Sequence, residues 1–144
     1  MSIAALFEKK QTVLSFEVFP PKRNGSINTI YDTLDQLQDL HPDFISVTYG
    51  AGGNVADQST CQIAAIIKNT YHIEPLAHLT CVSSTKDEVL QNLRLLRENG
   101  IENILALRGD ISPDHPPKAD FQHACDLIAF IKQQGGFHLS AACY

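Results

Sequence analysis

The sequence has no apolar run approaching the ~20 residues that a membrane-spanning helix needs, so none of its segments reads as a span. It has no basic excess either. Lys and Arg total 11 against 16 Asp and Glu, a formal net charge of -5, so charge gives no reason to expect nucleic acid or an anionic membrane as a partner. It has no C-x-x-C pair. Cys61, Cys81, Cys125 and Cys143 are scattered through apolar stretches, which removes support for a zinc ribbon, a thioredoxin-type motif or a disulfide framework and leaves buried free thiols as the expectation. Met1 to Lys10 lacks the charged-then-apolar layout of a secretory leader, and a cytoplasmic protein is the expectation. There is no repeated sequence, low-complexity segment, linker or metal-ligand spacing. What remains is a chain of 144 residues, 44% hydrophobic and 19% charged, sufficient for one domain (1–144) with a real core.

Short apolar strands alternate with amphipathic helices. The first strand runs from Val13 to Phe19 and stops at Pro20-Pro21, because proline cannot donate to a ladder. Ser26 suits the cap of a helix whose Ile27, Ile30, Leu34 and Leu37 share a face, and His41-Pro42 ends it. A second strand, Phe44 to Tyr49, meets the turn Gly50-Ala51-Gly52-Gly53, and a helix carrying Ile63, Ile66 and Ile67 starts near Asp57. The third strand is Leu76 to Cys81. Thr85-Lys86-Asp87-Glu88 reads as a capping box for the next helix, and Gly100 suits its end. A fourth strand, Asn103 to Arg108, precedes a proline-rich loop from Ile111 to Lys118. A helix from Asp120 to Gln134 and a strand from His138 to Tyr144 follow. Strands recurring about every 30 residues define an α/β fold, either a TIM (β/α)8-barrel or a doubly wound sheet. Five strands and four helices are too few to close a barrel of eight, which typically takes about 250 residues, so the expectation is a partial barrel or an open sheet.

Alternation along each strand sorts the side chains. Leu14, Phe16 and Val18 oppose Ser15 and Glu17; Ile45, Val47 and Tyr49 oppose Ser46 and Thr48; Ala77, Leu79 and Cys81 oppose His78 and Thr80; Leu105 and Leu107 oppose Ala106 and Arg108; Ser140, Ala142 and Tyr144 share a face. A greasy face packs on helices, while Glu17, Thr48, His78, Arg108, Asp110 and Tyr144 converge at the carboxyl ends of the strands, where parallel α/β folds place their active sites. Glu17 reads as a general acid raised by burial, or as half of a structural ion pair with Arg108 or Lys22. Arg108-Gly109-Asp110 reads as a ligand-binding turn, with Arg108 for a phosphate or carboxylate, or as a turn with an internal ion pair. His78 is a ligand contact or a satisfied core histidine. The turn after the second strand is a loose anion nest or an ordinary tight turn, being neither G-x-G-x-x-G nor a P-loop. Tyr144 contacts a cofactor or fills space.

Four ordered motifs resemble those of the methylenetetrahydrofolate reductase family. They are Ser15-Phe16-Glu17-Val18-Phe19-Pro20-Pro21-Lys22, Phe44 to Gly53, His78-Leu79-Thr80-Cys81, and Leu105-Ala106-Leu107-Arg108-Gly109-Asp110; Ser140 to Tyr144 is similar to a fifth. The resemblance covers nearly everything from Val13 on. It implies a TIM-barrel oxidoreductase of one-carbon metabolism and methionine biosynthesis. Such an enzyme reduces 5,10-methylenetetrahydrofolate to 5-methyltetrahydrofolate with FAD as cofactor and NADH or NADPH as co-substrate, and works as a homo-oligomer at full length. It also implies roles: Glu17 as the general acid that helps open the five-membered ring, and Asp110 as the carboxylate that holds the pterin. Thr48, Tyr49, Ala51, His78, Arg108, Gly109, Asp110, Ala124 and Tyr144 match positions lining the flavin or the stacked nicotinamide, and no metal is implied. Family members continue for about as long again, so the chain is expected to be the N-terminal part of the barrel, inactive alone and weak in FAD binding. The alternative is a non-catalytic half-barrel module that self-associates or holds folate or flavin weakly. A flavodoxin-like protein would need a phosphate loop after the first strand, which Pro20-Pro21-Lys22 does not resemble.

Overall fold

The computed structural model describes residues 1–21, 28–49, 58–111, 113 and 116–142. In chain order the elements are α1 (Ala4–Lys9), β1 (Ser15–Val18), α2 (Asn28–Gln38), β2 (Phe44–Val47), α3 (Ser59–Asn69), β3 (Glu74–Thr80), α4 (Lys86–Glu98), β4 (Asn103–Leu107), α5 (Ala124–Gln134) and β5 (His138–Ala141). The strands form one sheet in the order β1-β2-β3-β4-β5, every neighbouring pair parallel. A doubly wound sheet reverses its strand order at a switch point, and this sheet never does. Each strand lies beside its predecessor, as in a (β/α)8 barrel, and the chain is five strands of that fold with β1 and β5 at the open edges.

The helices cover one face. Ile45 and Val47 of β2, Ala77 and Leu79 of β3, and Ile104 and Ala106 of β4 are buried against Ile30 and Leu34 of α2, Ile63 and Ile67 of α3, Val89 and Leu93 of α4, and Leu127 and Ile131 of α5. Each such Leu or Ile contributes about 1.5–3 kcal/mol when fully buried, so this layer supplies most of the drive to fold. α4 shows how the sequence directs the layer. Val89, Leu93 and Leu96 recur at helical spacing and are buried, and the Thr85–Glu88 capping box closes the first turn. Beyond Asn99, Gly100 turns the chain at φ 72°.

The other face is open at the carboxyl ends of the strands and closed at their amino ends by α1, which the sequence reading did not foresee. Ile3 and Leu6 pack on Phe44 and Leu76, with Val13 and Leu105 alongside. The Ile3 amide donates to Asn103 Oδ1 at 3.0 Å, Asn103 Nδ2 donates to Glu74 Oε1 at 3.0 Å, and Lys68 Nζ reaches both Glu74 oxygens at 2.9 and 2.7 Å. A carboxylate only 8% exposed is thereby both neutralised and hydrogen-bonded, as a buried charge requires.

This floor explains a correction on β4. Leu105 and Leu107 were expected against the helices, with Ala106 and Arg108 opposite. The register pairs Ala77 with Ile104 and Leu79 with Ala106, so Ile104 and Ala106 face the helices while Leu105 and Leu107 share the inner face with His78 and Thr80. A barrel strand is apolar on both sides, and its own sequence does not say which side meets the helices. On β1 the expected greasy row is only partly covered: Val18 is buried and Phe16 half-buried, but Leu14 is 42% exposed, because an edge strand has a neighbour on one side alone. β3 begins at Glu74, ahead of the expected Leu76. Pro75 is tolerated there because pairing with β4 starts only at Ala77, so its missing N–H costs that ladder nothing. α5 starts at Ala124, four residues past the expected Asp120, and β5 ends at Ala141. Cys81 is buried and Cys61 half-buried, but Cys125 is exposed on the first turn of α5, against the expectation of buried thiols. Ser26, the turn at Gly50 to Gly53, Asp57 and Cys143 lie outside the described residues.

Candidate active site

The open inner face is built by register. Glu17 pairs with Ser46 across β1 and β2, and His78 lies on the same face of β3. Ser46 Oγ donates to Glu17 Oε2 at 3.2 Å. His78 Nε2 lies 3.4 Å from the same oxygen, outside hydrogen-bonding geometry. Glu17 therefore points inward and not beneath a helix, as alternation required, but its side chain is 47% exposed and the burial invoked for it is absent in this chain. No ion pair joins Glu17 to Arg108 among the described residues, and Lys22, the other proposed partner, lies outside them. Ser46 was not singled out in the sequence. Its parity was readable, but only the parallel register puts it beside the acid.

His78 is 7% exposed, and its Nε2 has no hydrogen-bond partner among the described residues. Burial pushes the imidazole below its ordinary titration range, and the Glu17 charge acts weakly the other way. A buried ring nitrogen without a partner is uncommon in a finished core and is suited to a ligand that supplies one.

The strand ends carry the remaining candidates. The Thr48 amide donates to the Val18 carbonyl at 3.1 Å, and the Thr48 carbonyl accepts from Thr60 Oγ1 at 2.9 Å, so the start of α3 fixes this backbone. The Tyr49 ring packs against the helix-side core and its hydroxyl accepts from Asn92 of α4 at 3.4 Å. Arg108 is exposed; its Nε donates to the Gly109 carbonyl at 3.3 Å, and no ion pair links it to Asp110, so the internal-pair reading of that turn is not realised. Gly109 has φ 84°, and a Cβ there would stand 2.9 Å from Thr80 Cβ, so both backbone and packing demand glycine. Asp110 is exposed at the rim, and Ala124 is half-buried at the first position of α5. Ala51 and Tyr144 lie outside the described residues. No cluster of three metal-ligating side chains occurs among the described residues, and none of their helices is long and apolar enough to cross a membrane.

Fold and site together define one part of a TIM-barrel protein, with an acid, a hydroxyl and a buried imidazole on its inner face. Comparison with known proteins narrows the class. The family description Methylenetetrahydrofolate reductase matches residues 2–144, and the chain belongs to that family. It is 38% identical to the 5,10-methylenetetrahydrofolate reductase of Escherichia coli K12, over 93% of this chain and 44% of that protein. It is 37% identical to the enzyme of the same name from Salmonella typhimurium LT2, with the same coverage. It is 36% identical to methylenetetrahydrofolate reductase (NADH) 1 of Arabidopsis thaliana, over 99% of this chain and 25% of that protein. The chain thus spans less than half the length of these relatives. In fold it is similar to the 4-hydroxy-tetrahydrodipicolinate synthase of Methylacidiphilum fumariolicum SolV, with a TM-score of 0.62 over 91% of this chain and 44% of that one. At 12% identity this likeness bears on architecture alone.

Proposed function

We propose that this chain supplies the acid half of a site that reduces 5,10-methylenetetrahydrofolate to 5-methyltetrahydrofolate, using FAD and NADH or NADPH. The observation that carries the reading is the inward-facing Glu17 held by Ser46 beside His78. Both neighbours approach the same carboxyl oxygen, Oε2. Acting as general acid, Glu17 hands a proton to the ring nitrogen that departs as the five-membered ring opens. Asp110, at the rim, holds the pterin and faces the positive charge that ring opening creates. The orphaned His78 Nε2 fits a planar cofactor with polar edges, and the residues that would hold FAD are Thr48, Tyr49, Ala51, His78, Arg108, Gly109, Asp110, Ala124 and Tyr144. FAD supplies the hydride chemistry when bound; the chain supplies orientation and the proton. A cytoplasmic setting fits the free thiols Cys61, Cys81 and Cys125.

Glu17→Gln in the whole reductase polypeptide should slow folate reduction by about 10²–10⁴-fold. It should leave reduction of the flavin by the nicotinamide nearly unchanged. Stopped-flow measurement of the two half-reactions decides the matter, and equal loss in both makes Glu17 structural. The 144-residue chain alone should bind FAD weakly and turn over poorly, because its inner face is open and Glu17 half-exposed. Flavin absorbance after purification and a reductase assay test this; robust turnover refutes it.

A further inference from the structure

The connection between β4 and α5 begins with the rim residues Arg108, Gly109 and Asp110, and its first part, from Arg108 to Lys118, is a loop. Both of its ends are tied to one residue. The Val82 N–H donates to the Arg108 carbonyl at 2.8 Å, and the Val82 carbonyl accepts from the Lys118 N–H at 2.7 Å. The Arg108 carbonyl also takes the Cys81 N–H at 3.1 Å. Val82 is itself buried, while Arg108 and Lys118 are exposed.

Side chains then lock the far end. Lys118 Nζ donates to both oxygens of Glu88 at 2.6 Å. Glu88 is not free to follow a wandering lysine: its Oε2 accepts from the Thr85 N–H at 2.6 Å, and its own N–H donates to Thr85 Oγ1 at 3.2 Å. Two residues past Lys118, Asp120 Oδ2 accepts from the Lys86 N–H at 2.8 Å. Burial works to raise the Glu88 carboxyl, but the Lys118 and Thr85 hydrogen bonds outweigh it and hold the group below the usual carboxylate range. The capping box that starts α4 thus has a second use as the anchor of a neighbouring loop.

A loop closed at its base samples fewer conformations than one held at a single end. Asp110 lies two residues beyond the pinned Arg108 carbonyl, next to a glycine packed against Thr80. We propose that Glu88 and Lys118 are positioning residues for Asp110: their ion pair closes the base of the loop that carries this carboxylate and so fixes its place at the rim. The role of Asp110 rests on the functional reading above; the closure of the loop does not.

Lys118→Met removes the charge, keeps much of the aliphatic stem and leaves the Thr85–Glu88 box intact, whereas Lys118→Arg retains the pair. Amide hydrogen exchange on the purified chain gives the first readout. In Lys118→Met the amides of Cys81, Val82 and residue 118, which donate the hydrogen bonds at the loop base, should exchange about three- to tenfold faster, with α4 unchanged and Lys118→Arg near wild type. Unchanged protection at Val82 and residue 118 overturns the proposal. The second readout uses the whole reductase polypeptide. Lys118→Met should raise KM for the folate three- to tenfold without changing KM for the nicotinamide, and should add nothing in an Asp110→Asn background. Equal losses in both backgrounds, or a fall in kcat alone, also overturn it. A wild-type polypeptide without turnover refutes the functional reading, and the exchange data then decide the positioning by themselves.

Discussion

Replacing Gly109 by alanine tests how tightly the rim is built. Two costs add. The backbone stands at φ 84°, where an L-residue pays about 1–2 kcal/mol. The new Cβ would also meet Thr80 Cβ at 2.9 Å and Cγ2 at 3.3 Å. Thr80 ends β3 and Cβ is fixed to its backbone, so relief requires the strand or the loop to move, an overpacking cost of about 1–3 kcal/mol. Loss of glycine's freedom in the unfolded chain offsets about 0.4–1 kcal/mol. The net expectation is a destabilisation of about 1–5 kcal/mol. Gly100→Ala is the matched control: its φ is 72°, but nothing lies within 4 Å of its added Cβ, so it bears the backbone cost alone. Urea denaturation of both variants, at a constant slope, should place Gly109→Ala about 1–3 kcal/mol below Gly100→Ala. Equal losses in the two variants would show that Thr80 yields freely, and the account of a rigid rim would fail.

Two further expectations concern charge and the floor of the sheet. Burial lowers the His78 pKa below the ordinary 6.5, so the unfolded chain takes up this proton before the folded one does. The His78 contribution is therefore full above about pH 6.5 and is lost as pH falls from there through the lowered folded value; His78→Gln should flatten that part of the stability profile, and an unchanged slope would remove His78 from the account. Asn103→Ala strips the Ile3 amide and the buried Glu74 carboxylate of a partner each and should cost about 2–3 kcal/mol in urea denaturation. Asn103→Asp should do no better, since its carboxylate would face Glu74; wild-type stability of that variant would contradict the hydrogen-bond assignment.

Much of the site was legible in one dimension. Alternation sets Glu17, Ser46, Thr48 and His78 each on the polar side of its own strand, opposite an apolar row, and that contrast points to a common face. Asp110 follows a strand end, where parallel α/β folds do their chemistry. What alternation could not give was the pairing that brings Ser46 to Oε2, the Thr80 contact that forbids a side chain at position 109, or the attachment of both loop ends to Val82. These contacts join residues about 30 positions apart, and each partner is an ordinary residue in its own surroundings.

The same division runs through the fold. Local sequence determined the order of strands and helices, the capped start of α4 at Thr85 and the turn at Gly100, because capping, periodicity and backbone preference act within a few residues. Tertiary structure decided which apolar side of β4 meets the helices, that Ile3 and Leu6 seal the sheet's floor over Glu74 and Asn103, and that Leu14 and Cys125 stay exposed. A strand apolar on both faces, or a short amphipathic segment such as Ala4–Lys9, is compatible with several placements; only the neighbours it finds in three dimensions, and the free energy of burying one side and not the other, choose among them.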